Sequence, residues 1–405
     1  MSPLEDIKLY FFHHHHYIPI PEDHERYRTS MVDYPNTQYD PEVGHALYER
    51  HFRSMTRAAQ LGFDGLSINE HHSMAYSMSP TVGLMAARYV TATKDLDIPI
   101  MAAGTPINLQ YPNRVAEEYA LLDVMSGGRM EYAFPLGTGM EYWANEGTIN
   151  PATARARFRE SLDIIMRAWT EDGPFRYDGD FYTYRYLNVW PKPYQKPRPK
   201  CFIVGTGSEE TVQLAIDYDM GYSIVFVPIK NQLRAFARLR ELAEERGKTV
   251  DPDDLIIVVM AYVADTDEEA VREARPHIEN FFSWFHRVTP RFLVPPGYVT
   301  TAEFLRRVSD AAMAKSTEAT WDDMVNIGRI ACGSPDTVAD TIVEWCKEAG
   351  CGRVNVVCEN GDMPEWKVAK NTTMFAEEVI PRIRARLNGG TAKTTAREPV
   401  TAGVK

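Results

Sequence analysis

Four consecutive imidazoles, His13-His14-His15-His16, followed by Tyr17, are the densest group of side chains able to carry chemistry in this sequence. Histidine titrates near neutral pH and ligates metals, so the run offers either proton traffic or a metal centre. It extends the strand-length apolar stretch 7–12 and leads into Tyr17-Ile18-Pro19-Ile20, which argues against an expression tag. A zinc centre on His13 and His15 would need ligands from later strands. After His72 the next histidines are His277 and His286, in a stretch read below as an insertion, so no metal is assigned.

A second group is Asn69-Glu70-His71-His72. Residues leaving a strand alternate in direction, so at least one of these imidazoles faces the functional side. A carboxylate–imidazole pair that merely caps the strand end is the plainer alternative. Ala102-Ala103-Gly104-Thr105 has side chains small enough for a flat ligand to lie against the backbone, or for a tightly packed barrel layer. Gly205-Thr206-Gly207-Ser208-Glu209-Glu210-Thr211 offers glycines, hydroxyls and a helix start, which suit a phosphate. The same residues suit an ordinary helix cap, with Ser208 bonding forward. Arg155 or Arg157 could supply the cation that a phosphate dianion requires.

These residues must be positioned by a regular alternation of strands and helices. Strand-length apolar runs occur at 7–12, 65–69, 98–105, 130–137, 201–204, 223–227, 255–263 and 353–358. Helical periodicity follows at 44–61, 80–94, 112–126, 154–170, 209–219 and 231–247, then in a helix with Val338, Ile342, Trp345 and Ala349 on one face, with a last helix at 365–387. The aromatic stretch 175–182 reads as a hairpin. Eight strands, each followed by a helix, predict a (β/α)₈ TIM barrel as one domain over 1–388. Residues 265–330 form a mostly helical insertion after the seventh strand, and 389–405 form a disordered tail. In such a barrel the reactive groups belong at the C-terminal ends of the strands.

The chain has 405 residues, of which 44% are hydrophobic and 25% charged, so it can bury a large core. Lys and Arg number 44 against 56 Asp and Glu, and no basic stripe gathers, which excludes nucleic acid and anionic membranes as expected partners. Five cysteines without a C-x-x-C pair, and no basic-then-apolar leader, predict a reducing cytoplasmic location. No apolar run approaches the roughly 20 residues that cross a bilayer.

Four blocks together resemble the bacterial luciferase-like, flavin-dependent monooxygenases. They are Gly62-Phe63-Asp64-Gly65 leading to Glu70-His71-His72; Pro112-Asn113-Arg114-Val115-Ala116-Glu117-Glu118 with Leu122-Asp123, Ser126 and Gly128-Arg129; Arg157-Phe158-Arg159-Glu160; and Gly333-Ser334-Pro335 with Ala376-Glu377-Glu378-Val379-Ile380-Pro381. The resemblance runs from the first strand to about residue 387. It implies a barrel with an insertion after the seventh strand and FMN at its mouth. It makes His71 the catalytic residue, with Glu70 beside it, and sets the flavin ring against Ala103 and Gly104 across a non-prolyl cis peptide. The phosphate contacts map onto Arg157, Gly205, Thr206, Gly207, Ser208 and Thr211. Where luciferase has an arginine after the fourth strand, this chain has Leu136, followed by Gly137 and Thr138, with Thr138 kept among the cofactor contacts. Thr206 also replaces a luciferase glutamate, so light emission is not implied.

The resemblance further implies that reduced FMN reacts with dioxygen through a C4a-peroxyflavin to oxygenate a small organic substrate. Water must be excluded meanwhile. His13, His14, His15, His16, Tyr17, Tyr76, Met78 and Trp143 are the expected substrate-pocket residues. Gly205-x-Gly207 lacks the third glycine of a dinucleotide fingerprint, so a separate NADH- or NADPH-dependent flavin reductase is the expected partner. A homodimer or higher oligomer is expected from the family's habit of pairing through outer helices. Two alternatives stay open: a deazaflavin-dependent hydride-transfer enzyme of the same fold, and a non-catalytic flavin-binding protein.

Overall fold

A computed structural model describes residues 4, 6–144, 150–225, 227–288, 292, 294–301, 305, 320–326, 328 and 330–388. The strands, in chain order, are β1 Lys8–His13, β2 Gly65–Ile68, β3 Ile100–Ala103, β4 Met130–Pro135, β5 Phe175–Asp178, β6 Thr183–Leu187, β7 Lys200–Gly205, β8 Gly221–Ile224, β9 Leu255–Val263, β10 Ile330–Gly333 and β11 Arg353–Val357. Eight of them, β1, β2, β3, β4, β7, β8, β9 and β11, pair in parallel and close through β8 on β9, forming the (β/α)₈ barrel. β5 and β6 make the antiparallel hairpin outside it.

The helices begin and end on local chemistry. Helix α1 (Pro41–Leu61) opens with Asp40, whose carboxylate accepts the N–H groups of Glu42 and Val43, and has Pro41 at its first position. It closes at Gly62, left-handed at φ 98°. α3 (Pro112–Ser126) repeats the pattern with Pro112 and Gly127. Between them lies α2 (Val82–Ala92); α4 (Gly139–Ala144), α5 (Ala154–Thr170) and α6 (Glu209–Asp217) follow.

Alternation along the strands splits the core into two layers. Leu9 and Phe11 of β1 face outward with Phe52 and Met55 of α1, while Tyr10 faces the lumen with Met101, Ala133, Phe202 and Ile256. Above these, Phe12, Val258, Met260 and Val357 carry the lumen toward the mouth. The N-terminal end is plugged by charge. Arg353 donates to Glu131 at 2.6 Å, to the Tyr10 hydroxyl at 3.0 Å and through two nitrogens to Asp253 at 2.7 Å each. Burial alone would push the Asp253 carboxyl up, but Arg353 and Lys200 hold it well below its ordinary range. This end carries stability, and the opposite end is left for function.

One strand was not expected. β9 runs for nine residues but pairs with β8 only over 255–257 and with β11 over 256–260. β10 pairs with the remainder, from Ile330 opposite Met260 to Gly333 opposite Val263. It satisfies N–H and C=O groups that would otherwise form a bare edge. The expected sixth strand at 223–227 lies slightly earlier, at Gly221–Ile224. Much of 302–319 and all of the expected tail 389–405 lie outside the described residues. No helix among the described residues is long and apolar enough to cross a membrane.

Candidate active site

At the mouth, β2 gives way to Asn69, Glu70, His71 and His72. β3 approaches this segment so closely that a Cβ on Gly104 would lie 2.3 Å from the Glu70 nitrogen. The Ala103–Gly104 peptide, expected to be cis, is trans: the cis bonds among the described residues precede Pro174, Pro191 and Pro197. A non-prolyl cis bond costs about 2.5–4 kcal/mol, and here the missing Gly104 side chain already admits the neighbouring strand.

His71 Nδ1 lies 2.7 Å from Glu141 Oε1 of α4. The other carboxylate oxygen accepts the Thr138 N–H at 2.8 Å and also the Thr138 hydroxyl. Burial pushes the Glu141 carboxyl up, yet His71 and Thr138 together hold it below the usual carboxylate range. An ionised Glu141 makes Nδ1 the donor, which keeps the ring proton on Nδ1 and leaves the lone pair of His71 Nε2 free to accept a proton. The Tyr76 ring packs edge-on against His71, 5.0 Å between centroids.

Glu70, expected beside His71, faces elsewhere. Its Oε1 lies 3.3 Å from His72 Nε2, and its Oε2 accepts the Val82 N–H and the Thr105 hydroxyl at 3.0 Å each. It ties the starts of α2 and the segment after β3 to the end of β2, and its hydrogen bond raises the His72 pKa. Glu141 was missed because it lies 70 positions away from its partner, in a helix of six residues.

The histidine run divides by parity. His14 and His16 enter the mouth, with ring centroids 5.3 Å apart and nearly parallel. Asn69 Nδ2 and the Tyr76 hydroxyl converge on His14 Nδ1 at 3.1 Å each, and His16 Nδ1 donates to the Tyr76 carbonyl. Phe281 and Phe285 close over His16. Trp143 joins the same aromatic layer through Phe292. Burial drives the His14 pKa well below its ordinary value and that of His16 to about 4, so both rings are neutral at pH 7. His13 and His15 instead turn behind β1, among His51, Glu359 and Tyr89. Tyr17 and Met78 line a separate cavity of about 490 Å³, between segments 32–39 and 73–78, with Tyr34, Tyr39 and Met74.

His13, His51 and Glu359 bring their ligand atoms within 4.8 Å of one another. Arg50 donates to Glu359 at 2.8 Å, and His13 Nδ1 accepts the His15 N–H, which places the ring proton on Nε2, facing Glu359. A cation there would meet both a guanidinium and a proton.

The loop at the end of β7 carries Gly207 at φ 87°, and Ser208 caps α6 by accepting the Thr211 N–H. The Tyr222 hydroxyl ties the loop down, accepting the Gly207 N–H and meeting Thr211 Oγ1 at 2.7 Å. The exposed Thr206 hydroxyl has no hydrogen-bond partner among the described residues. Arg157 does not reach this loop: it donates to the Tyr182 hydroxyl at 2.9 Å and lies over that ring. Arg155 does, with Nε 2.8 Å from Glu210 Oε2, in a narrow cleft with Leu136, Phe158 and Thr211. Thr138 is engaged with Glu141 rather than free for a ligand.

The sequence pattern of the family described as luciferase-like monooxygenase matches residues 32–352. The chain is 23% identical over 346 residues to the alkanal monooxygenase alpha chain of Photobacterium leiognathi, covering 84% of this chain and 94% of the relative. It is 22% identical to the oxygenase component of a flavin-dependent trigonelline monooxygenase from Acinetobacter baylyi, over 64% and 72% of the two chains. In structure it resembles the oxygenating constituent of 3,6-diketocamphane monooxygenase from Pseudomonas putida in complex with FMN, with a TM-score of 0.70, 20% identity, and 93% and 99% of the chains covered. An F420-dependent secondary alcohol dehydrogenase shares the fold at a TM-score of 0.63, 18% identity and the same coverage. A sequence match over most of the chain, on a closed parallel barrel, decides the assignment: the chain belongs to the luciferase-like monooxygenase family.

Proposed function

We propose that this chain is the oxygenase component of a two-component, FMN-dependent monooxygenase that inserts one atom of dioxygen into a small organic substrate. The observation that carries the reading is the His71–Glu141 pair at the barrel mouth, in which a buried carboxylate sets the tautomer and leaves His71 Nε2 available for a proton. Such a relay serves oxygen transfer, and a storage protein has no use for it.

The residues present suit FMN. Arg155, the free Thr206 hydroxyl, Ser208, Thr211 and the start of α6 form a hydroxyl-rich cradle with one guanidinium, groups of the kind a phosphate monoester takes. Glu210 occupies Arg155 and must release it to a phosphate. Ala103 and Gly104 leave the wall of β3 low. Reduced FMN, when bound, supplies the electrons that activate dioxygen. His14, His16, Tyr76, Phe281 and Phe285 exclude water around His71, and their neutral rings favour an uncharged substrate. The named oxygenase component among the relatives supports a separate NAD(P)H-dependent reductase. Free thiols at all five cysteines agree with a cytoplasmic location.

A homodimer is part of the same reading. Leu84 of α2, Tyr111, which precedes α3, and Met125 of α3 are 74%, 72% and 54% exposed, apolar side chains spread along two helices that pack side by side on the outer wall.

Anaerobic titration with reduced FMN, followed by admission of oxygen, tests the function. Tight binding and flavin reoxidation slower than that of free reduced FMN support it. Binding of a reduced deazaflavin in preference to reduced FMN would transfer the chain to the hydride-transfer alternative.

A further inference from the structure

Past the end of β1 the chain keeps sending odd residues outward and even residues into the mouth, although the backbone is no longer extended. His15 holds φ 58°. Left-handed backbone is disfavoured for a residue with a side chain, and it persists only where neighbours enforce it. The enforcing contact is short and local: His13 Nδ1 accepts the backbone N–H of His15 at 2.9 Å.

A neutral imidazole accepts at one nitrogen only when its proton sits on the other. His13 Nε2 lies 2.7 Å from Glu359 Oε2, which is thus the acceptor that selects the tautomer. Arg50 steadies Glu359, donating to its Oε1 at 2.8 Å and to the Met363 carbonyl at 2.6 Å. His51 Nε2 donates to the His16 carbonyl at 3.1 Å, and Met78 N–H donates to the His15 carbonyl at 2.9 Å. His13, His15, His51 and Glu359 are buried behind the barrel wall.

We propose that Glu359 and His13 are positioning residues: Glu359 fixes the His13 tautomer, His13 Nδ1 tethers the left-handed turn at His15, and that turn presents His14 and His16 to the mouth. Their importance for turnover rests on the function proposed above. The mechanical linkage does not.

Selective ¹⁵N labelling of histidine, with long-range imidazole ¹⁵N–¹H spectra of the full chain, reads the linkage without any flavin reaction. In the wild type His13 is expected as the Nε2–H tautomer, with His14 and His16 neutral at pH 6.5, where a free imidazole is half protonated. A His13 proton on Nδ1, or its displacement by added Zn²⁺ in favour of a metal centre, would overturn the proposal. Replacement of His by Asn puts an amide oxygen near the Nδ1 position, whereas Gln puts one near Nε2. His13→Asn should therefore keep the His14 and His16 resonances, and His13→Gln should shift them and bring their titration toward pH 6.5. Adding His15→Gly, which takes positive φ without a tether, should return the His14 and His16 signals of His13→Gln to their wild-type positions at the cost of the His15–Tyr89 contact. Failure of that rescue in a folded double variant sinks the tether. The wild-type tautomer decides the question if the single variant does not fold. If this linkage holds while reduced FMN fails to bind, only the proposed function falls.

Discussion

His71 Nδ1 and Glu141 Oε1, 2.7 Å apart, join the end of β2 to α4 across the barrel mouth. Thr138 clamps the far side of the carboxylate through both its N–H and its hydroxyl. In the proposed reaction the pair works as a unit: Glu141 holds the ring proton on Nδ1, and His71 Nε2 is the nitrogen that takes up and returns the transferred proton.

Glu141→Gln removes the charge that selects the tautomer and should lower turnover roughly 10²–10⁴-fold, with reduced-FMN affinity little changed. His71→Ala should do the same. The double variant should be no slower than the slower single variant, because neither group functions alone. Glu70→Gln should chiefly lower thermal stability, since Glu70 holds Val82 and Thr105. Reductase-coupled turnover of the four variants checks this, and wild-type turnover in Glu141→Gln would refute the pair.

Arg155→Ala should weaken reduced-FMN binding by the equivalent of about 1.5–3 kcal/mol, the range for a hydrogen bond to a charged group. Glu210→Gln should strengthen it by releasing Arg155. Arg157→Ala should leave affinity nearly unchanged and loosen the β5–β6 hairpin instead, through the lost Tyr182 contact. Anaerobic fluorescence titration separates the three. An Arg157 effect larger than that of Arg155 would restore the assignment made on sequence grounds.

Acid should destabilise this protein earlier than carboxylate titration alone would. The pKa of His16 is driven to about 4 and those of His13, His14, His15 and His51 well below 6.5, chiefly by burial. Between those values and 6.5 the unfolded chain binds more protons than the folded one, so stability falls as pH falls. The loss begins near pH 6.5, and each group contributes up to about 1.4 kcal/mol per pH unit until its folded pKa is reached. Glu141, held below its ordinary range, adds a loss of the same sign at lower pH. Urea unfolding from pH 8 to 5 measures the slope, and a flat profile would mean that these rings are solvated.

Leu84→Glu combined with Met125→Glu should convert a dimer into a monomer without changing the fold, because a charge on each of α2 and α3 would be buried in the proposed interface. Light scattering beside circular dichroism tests it. A wild type that is monomeric at all concentrations would remove the interface.

Most of the barrel was legible from local signals. Helices 112–126 and 154–170 have the expected ends: proline opens and glycine closes the first, and a strict apolar face bounds the second. Each expected barrel strand is present because a short apolar run between turn residues has few other fates. β10 was not legible. Its four residues carry no periodicity, and its reason for existing is the unpaired upper half of β9.

The sequence by itself determined the alternation of strands and helices, the glycines and prolines that punctuate it, the presence of His71 at a strand end and the family resemblance, since all of these are written in neighbouring residues. Tertiary structure alone decided the partnerships. Arg155 and Arg157 are two positions apart and so about 200° apart around a helix, and only packing shows which one meets α6. Glu70 and Glu141 are equally able to orient an imidazole, but closure of the barrel brings the distant one to His71 and turns the adjacent one away. Four identical histidines divide in the same way: beyond the end of β1 the left-handed backbone at His15 still sends alternate side chains to opposite sides, and only the folded barrel makes one side a mouth and the other a wall.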